Sequence, residues 1–231
     1  YVIQRSGWDK DARYVAFDVG PFGYEHQHED KLNFVLTAYR REFIVEGGIY
    51  AYDSSHWRTY VLGPYAHNVA FVDGMGQRRR GNRATYVTDT PVDFVWEVTQ
   101  QYDFAQGYYG GEAEGFGPAG ERIATHQRSI LFVKEGKDRD FWVVVDTFIP
   151  NDGREHLYES IFHINAPDVT VDPATRAVRT NYERGANLGI FPLISENQLP
   201  VQVVQGQVEP SVEGWIAVDS NEVKPVPTPR F

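Results

Sequence analysis

Two histidines one residue apart, His26 and His28, are where the residue types and spacing of this chain first suggest chemistry. On a strand, alternate side chains share a face, so the two imidazoles would stand side by side. That arrangement suits metal binding or the placing of an acid and a base. Asp30 continues the same face, and Glu25, Glu29 and Asp30 are placed to orient the rings. Gly20, Pro21 and Gly23 put the pair beside a turn. A metal needs more ligands than one strand offers. Glu46, between the apolar run Phe43-Ile44-Val45 and the pair Gly47-Gly48, is one candidate, and His67, just ahead of Val69 to Val72, is another. Two imidazole nitrogens with one carboxylate oxygen suit Zn²⁺ with an open fourth position. Cupins also use a His-x-His pair, but with a glutamate four or five residues further on. Leu32 and Asn33 occupy those places here, so that pattern fails.

A second chemical feature is the basic cluster Arg78-Arg79-Arg80, followed by Arg83. It follows the turn pair Asp73-Gly74, in a loop-like context. Such a cluster is either a solvated loop with counter-charges or a set of guanidinium forks for a polyanion. Trp8, Trp57, Tyr50 and Tyr52 offer flat rings for stacking on sugars, although strand aromatics more often fill a core. Trp57, beside His56 and Arg58, ranks first among them as a binding residue. His156 and His163 are expected to pack structurally, and His126 has no assigned role.

The elements that must hold these residues are strands. Short β-rich runs recur between turn signals: Tyr14 to Val19, Leu32 to Tyr39, Phe43 to Val45, Val69 to Val72, Phe94 to Val98, Ser129 to Val133, Phe141 to Asp146, Ser160 to Ile164, Val169 to Val171, Val201 to Val204 and Trp215 to Val218. No helical period persists over a dozen residues. This predicts a single all-β domain, a large antiparallel β-sandwich, since parallel sheets would need crossover helices. Tyr102 to Gly120, rich in Gly, Tyr and acidic residues, is expected to be a long loop or irregular hairpin. The tail from Lys224, with Pro225, Pro227 and Pro229, is expected to be extended.

With 231 residues, 42% of them hydrophobic, the chain is long enough to bury a sizeable core. The absence of cysteine excludes disulfides and thiolate metal sites. A formal charge of −10 argues against nucleic acid or an anionic membrane as partner. An acidic substrate would therefore need locally placed positive charge.

Several motifs together resemble the heparinase II/III-like polysaccharide lyases, specifically their C-terminal sandwich domain. They are Arg5-Ser6-Gly7-Trp8, Asp11-Ala12-Arg13-Tyr14, Phe17 to Gly23, His26 to Leu32, Tyr50 to Ser55, Trp57-Arg58, Ala66-His67-Asn68, Val72-Asp73-Gly74 and Gln77, with weaker echoes at Phe162-His163 and Glu213-Gly214-Trp215. The resemblance implies a β-eliminative lyase acting on uronic-acid glycans such as heparan sulfate or alginate, exported to the periplasm or secreted. It implies a preceding α/α toroid that supplies a catalytic tyrosine and a carboxylate-gripping asparagine, and further strands after residue 231. By resemblance, His26 is catalytic, as base or as neutraliser of the substrate carboxylate. His28, Glu46 and His67 hold a mainly structural zinc. Glu46 departs from the family's usual aspartate. Arg78, Arg79, Arg80 and Trp57 are the expected contacts to an acidic polysaccharide. The alternative is a non-catalytic carbohydrate-binding or structural module.

Overall fold

A computed structural model describes residues 1–79, 94–136, 139–193 and 200–231. The first four strands, β1 (Val2–Arg5), β2 (Tyr14–Phe17), β3 (Phe34–Ala38) and β4 (Arg41–Ile44), form an antiparallel meander in chain order. Burial alternates along β2 and β3, so one face of this sheet is core. Tyr39 and Arg40 join β3 to β4, both at positive φ (51° and 66°), which matches the twist of a two-residue hairpin. A seven-residue helix α1 (His56–Leu62) follows. Then come β5 (Ala70–Val72), β6 (Gln77–Arg79), β7 (Val95–Val98), β8 (Tyr102–Tyr109), β9 (Glu114–Phe116), β10 (Ala124–Val133), β11 (Phe141–Pro150) and β12 (Tyr158–Ser160). The second large sheet has the order β11-β10-β8-β7.

The inner faces of the two sheets meet. Val15, Phe17, Phe34 and Leu36 from the first pack with Ala105, Tyr109 and Ile130 from the second in one buried cluster. Each Val, Leu, Ile or Phe side chain among these, fully buried, contributes about 1.5–3 kcal/mol. Gln4 of β1 also reaches across, donating to the carbonyls of Asp103 (3.2 Å) and Ile130 (2.8 Å). The expected large antiparallel sandwich is therefore present.

Two expectations about elements are corrected. Tyr102 to Gly120 contains an inner strand of the second sheet rather than a loop. Asp103, Ala105, Gly107 and Tyr109 alternate inward along β8, and the glycine disguises the period. Gly107 is needed there because a Cβ would lie 2.7 Å from Leu32 and 2.9 Å from Val19. The second correction concerns the histidine pair. His26 and His28 lie on no strand, because residues 18–33 form a loop between β2 and β3. Its ends are drawn together by Asp18 N–H to Asn33 O (2.8 Å) and Leu32 N–H to Asp18 O (2.9 Å). His26 and Leu32 take positive φ of 57° and 68°, which breaks the alternation a strand would impose. In the tail, Lys224 and Pro225 end a strand, Glu222–Pro225, that pairs with Trp215–Asp219, and Thr228–Arg230 forms a strand that pairs with Gln202–Val204.

A buried polar network anchors the loop. Arg128 of β10 is fully buried. It donates to Asp146 from Nε (2.7 Å) and Nη2 (2.9 Å), and from Nη1 to the carbonyls of Leu32 (2.9 Å) and Asn68 (2.5 Å). Asp146 also meets His126 Nε2 (2.7 Å) and accepts from Ser160 Oγ (2.6 Å). Arg128 thus binds the neck of the histidine loop and the segment after His67 to the second sheet.

Candidate metal centre and adjoining cleft

Close backbone approach puts Glu46 beside His67. A Cβ on Gly47 would lie 2.4 Å from Ala66 O, and one on Gly48, at φ 79°, would lie 2.5 Å from Ala217 O. Only glycine lets these segments touch. His67 follows a short 3-10 turn, Pro64–Ala66, and is fully buried. Asn68, next in sequence, donates to Phe34 O (2.9 Å) and Val45 O (2.8 Å), which fixes this segment against β3 and β4.

His28, Asp30 and His67 present ligand atoms that all lie within 4.8 Å of one another. The His28 and His67 rings are 5.2 Å apart between centroids. Glu46 bears on the same histidine: Oε1 meets His67 Nδ1 and accepts from Gly47 N–H (2.7 Å), and Oε2 accepts from Asn33 Nδ2. His67 Nε2 is buried without a hydrogen-bond partner. A buried imidazole nitrogen left unpaired, with its other nitrogen held by a carboxylate, suits a metal ligand. The donor set, two imidazoles and a carboxylate oxygen, fits Zn²⁺.

The electrostatics prepare His28 as a ligand and leave His67 and Asp30 to give up protons when a metal binds. Burial, and then the charge of His67, bring His28 down to about 4, so it is a neutral donor. Burial disfavours a charged His67, but the Glu46 carboxylate outweighs this and raises it. Glu46 is lowered in turn, His67 outweighing the opposing effect of burial. Burial pushes Asp30 up to about 7.

His26 is not a member of this group. It lines an open cleft of about 480 Å³ with Tyr24, Glu25, Gln27, Tyr52 and Arg58. Its Nδ1 is 2.8 Å from Tyr52 Oη, and its Nε2 is 3.8 Å from Glu25. Arg58 comes from α1, whose N-cap Ser55 accepts from Arg58 N–H (3.2 Å) and is itself held by Asp53 (2.6 Å). The loop thus directs His26 into the cleft and His28 toward His67, instead of showing both on one face.

The remaining expected residues are scattered. Arg78 is exposed, whereas Arg79 is buried, paired with Glu29 (2.5 Å) and set over the Phe22 ring (4.2 Å). Arg80 and Arg83 lie outside the described residues. Trp57 packs against Trp215 (5.1 Å between rings) and Tyr60 (6.4 Å). Of the four rings expected to stack on sugar, Trp8 and Tyr52 are exposed, at 87% and 70%. His163 is buried and donates its backbone N–H to Asn68 Oδ1 (2.6 Å). Arg58 was no more than a neighbour of Trp57 in the sequence. The Asp53-x-Ser55 cap ahead of a short helix was the signal that could have placed it.

These features define a β-sandwich that holds a group of two histidines and an aspartate with metal-ligand spacing, braced by Glu46, next to a histidine-bearing cleft. The chain belongs to the heparinase II/III-like C-terminal family, whose model matches residues 1–228. No curated protein matches the chain. Among solved structures it is similar to heparan sulfate lyase HepC from Pedobacter heparinus, at 20% identity and a TM-score of 0.74 over 99% of this chain and 32% of that one. It is also similar to a heparinase III, the BT4657 gene product (15% identity, TM-score 0.74, 99% and 31%), and to a further heparinase III (16%, 0.69, 99% and 32%). The chain therefore spans about a third of the length of these enzymes.

Proposed function

We propose that this chain is the β-domain of a polysaccharide lyase that cleaves uronic-acid glycans by β-elimination. The observation that carries this reading is His26, held in an open cleft by Tyr52 and adjoining a group of His28, Asp30 and His67 that is spaced for a metal. In such a reaction the proton at C5 of the uronate is removed and the C4 glycosidic oxygen leaves, with no water added. The carboxylate on C5 must be neutralised for that proton to become acidic, and a base must lie in reach. Neutral His26 accepts the proton at its ring nitrogen, or, protonated, it lies against the carboxylate. A preceding α/α toroid supplies the remaining acid, base and carboxylate contacts. Heparan-type glycans are the first substrates to test, because the similar solved enzymes are a heparan sulfate lyase and heparinases III.

His28 and His67 hold a zinc ion, with Asp30 at ligand spacing and Glu46 fixing His67 through Nδ1. When bound, the metal supplies a fixed positive charge that braces the loop from which His26 projects. A purely glycan-binding module would lean on Arg78 to Arg80, and Arg79 is withdrawn into its pair with Glu29.

The test is the appearance of unsaturated uronate from heparan sulfate, followed with the enzyme that carries this domain. His26→Ala should lower the rate by roughly 100-fold or more, the scale of lost general acid–base help. An unchanged rate would remove His26 from the chemistry.

A further inference from the structure

Among the described residues that line the cleft around His26, Arg58 carries a permanent positive charge. Three restraints preset it. Its backbone is capped by Ser55, its Nη1 donates to Ile49 O (2.7 Å), and its guanidinium lies over the Tyr52 ring at 4.6 Å. The bond to Ile49 uses one of five N–H donors on the fork. Tyr52 in turn holds His26 at Nδ1, so Arg58, Tyr52 and His26 form a continuous chain of contacts along the cleft. The field of Arg58 also reaches the metal group, where it contributes to the lowering of His28.

We propose that Arg58 is a carboxylate-recognition residue, gripping the uronate of an acidic glycan while Tyr52 spaces that grip from His26. The proposal rests on the β-elimination reading above and adds the substrate group that the cleft recognises. A guanidinium fork matches a carboxylate bidentately, and preordering of the side chain lowers the cost of forming the contact. The placement has a chemical logic. The carboxylate and the C5 proton sit on the same carbon, so a residue that holds the first beside His26 presents the second to it. The other anionic group of such glycans, sulfate, would satisfy the same fork, and the experiment separates the two.

The probes are an unsulfated glucuronate-containing tetrasaccharide, its carboxyl-reduced form, and an N-sulfated form of that reduced sugar, each titrated against the enzyme that carries this domain and followed by ligand-observed NMR. The native enzyme should prefer the uronate over its reduced form by about tenfold, the scale of one charge-assisted contact. R58Q should lose that preference, with Tyr52→Phe keeping most of it. A purely structural role for Arg58 would weaken both sugars equally and leave the preference intact, which would overturn the proposal. If the sulfated reduced sugar binds as well as the uronate, the fork recognises sulfate and the carboxylate assignment fails. Should R58Q not fold, R58K keeps the charge without the fork, and an undiminished preference in it would count against the proposal. If the enzyme that carries this domain binds none of the three, the uronan reading itself falls.

Discussion

His67 is the residue on which the metal group turns. Its Nδ1 is held by Glu46 and its Nε2 is unpaired, so metal binding at Nε2 displaces a proton that Glu46 helps to retain. Asp30, pushed up to about 7, must also lose its proton to become a ligand. Both effects have one sign: zinc affinity should climb as pH rises from about 6 to 9. Competition with a chelator across that range measures it, and a flat profile would show that neither group loses a proton on binding. Metal content of the purified, chelator-free chain should be about one zinc, lost in His28→Ala. The candidates His28, Glu46 and His67 were legible as residue types, and His67 and Glu46 do meet. What the spacing could not convey was the division of the pair His26 and His28 between two sites. That depends on φ at His26 and Leu32, and no local period encodes it.

Among the elements, β8 and the connection before β12 carry separate consequences. Gly107 is where the histidine loop rests on β8, so Gly107→Ala forces a methyl against Leu32 and Val19. The cost should be about 1–3 kcal/mol by denaturant unfolding, with zinc retention falling in parallel because the loop shifts. The second case is His156, which meets Asp73 Oδ2 (2.7 Å) at Nδ1 and Asp152 Oδ1 (2.9 Å) at Nε2. Those two carboxylates raise it, Asp73 first, while Arg154 is occupied with Asp152 and Tyr158 lies 6.2 Å away ring to ring. Because the folded value is raised, the stability this tie provides is complete below the ordinary imidazole value and fades as pH climbs through the raised one. His156→Gln should therefore be destabilising near pH 5.5 and close to neutral near pH 9, as melting curves at the two values would reveal. Strands with alternating or continuous apolar runs were readable in the sequence, Val169–Val171 to the residue. β8 was not, because Asp103 and Gly107 occupy inward positions where an apolar residue is expected. Asp103 is accommodated there by Lys134 (2.5 Å).

Across the whole molecule, the two sheets are joined by an apolar core, and Arg128, paired with Asp146 inside the second sheet, ties that sheet to the carbonyls of Leu32 and Asn68. Asp146→Ala leaves a fully buried guanidinium without its carboxylate, and should cost about 3–5 kcal/mol in equilibrium unfolding. A loss below 1 kcal/mol would mean that the carbonyls of Leu32 and Asn68 suffice for Arg128. The sandwich class followed from many short strands and no helical period, which is information of the whole chain. The ionic centre was invisible because His126, Arg128 and Asp146 are ordinary strand residues until the sheet brings them together.

The two hydrogen bonds that close residues 18–33 at Asp18, Leu32 and Asn33 also separate the loop from the sheets it leaves. Adding residues at the tip lengthens a closed polymer, whose closure entropy grows only with the logarithm of its length. The β2–β3 register is set at the neck and does not sense the tip. The depth to which the His26 imidazole projects into the cleft can therefore be retuned by insertion near Glu25, in the manner of an interchangeable nib on a fixed barrel.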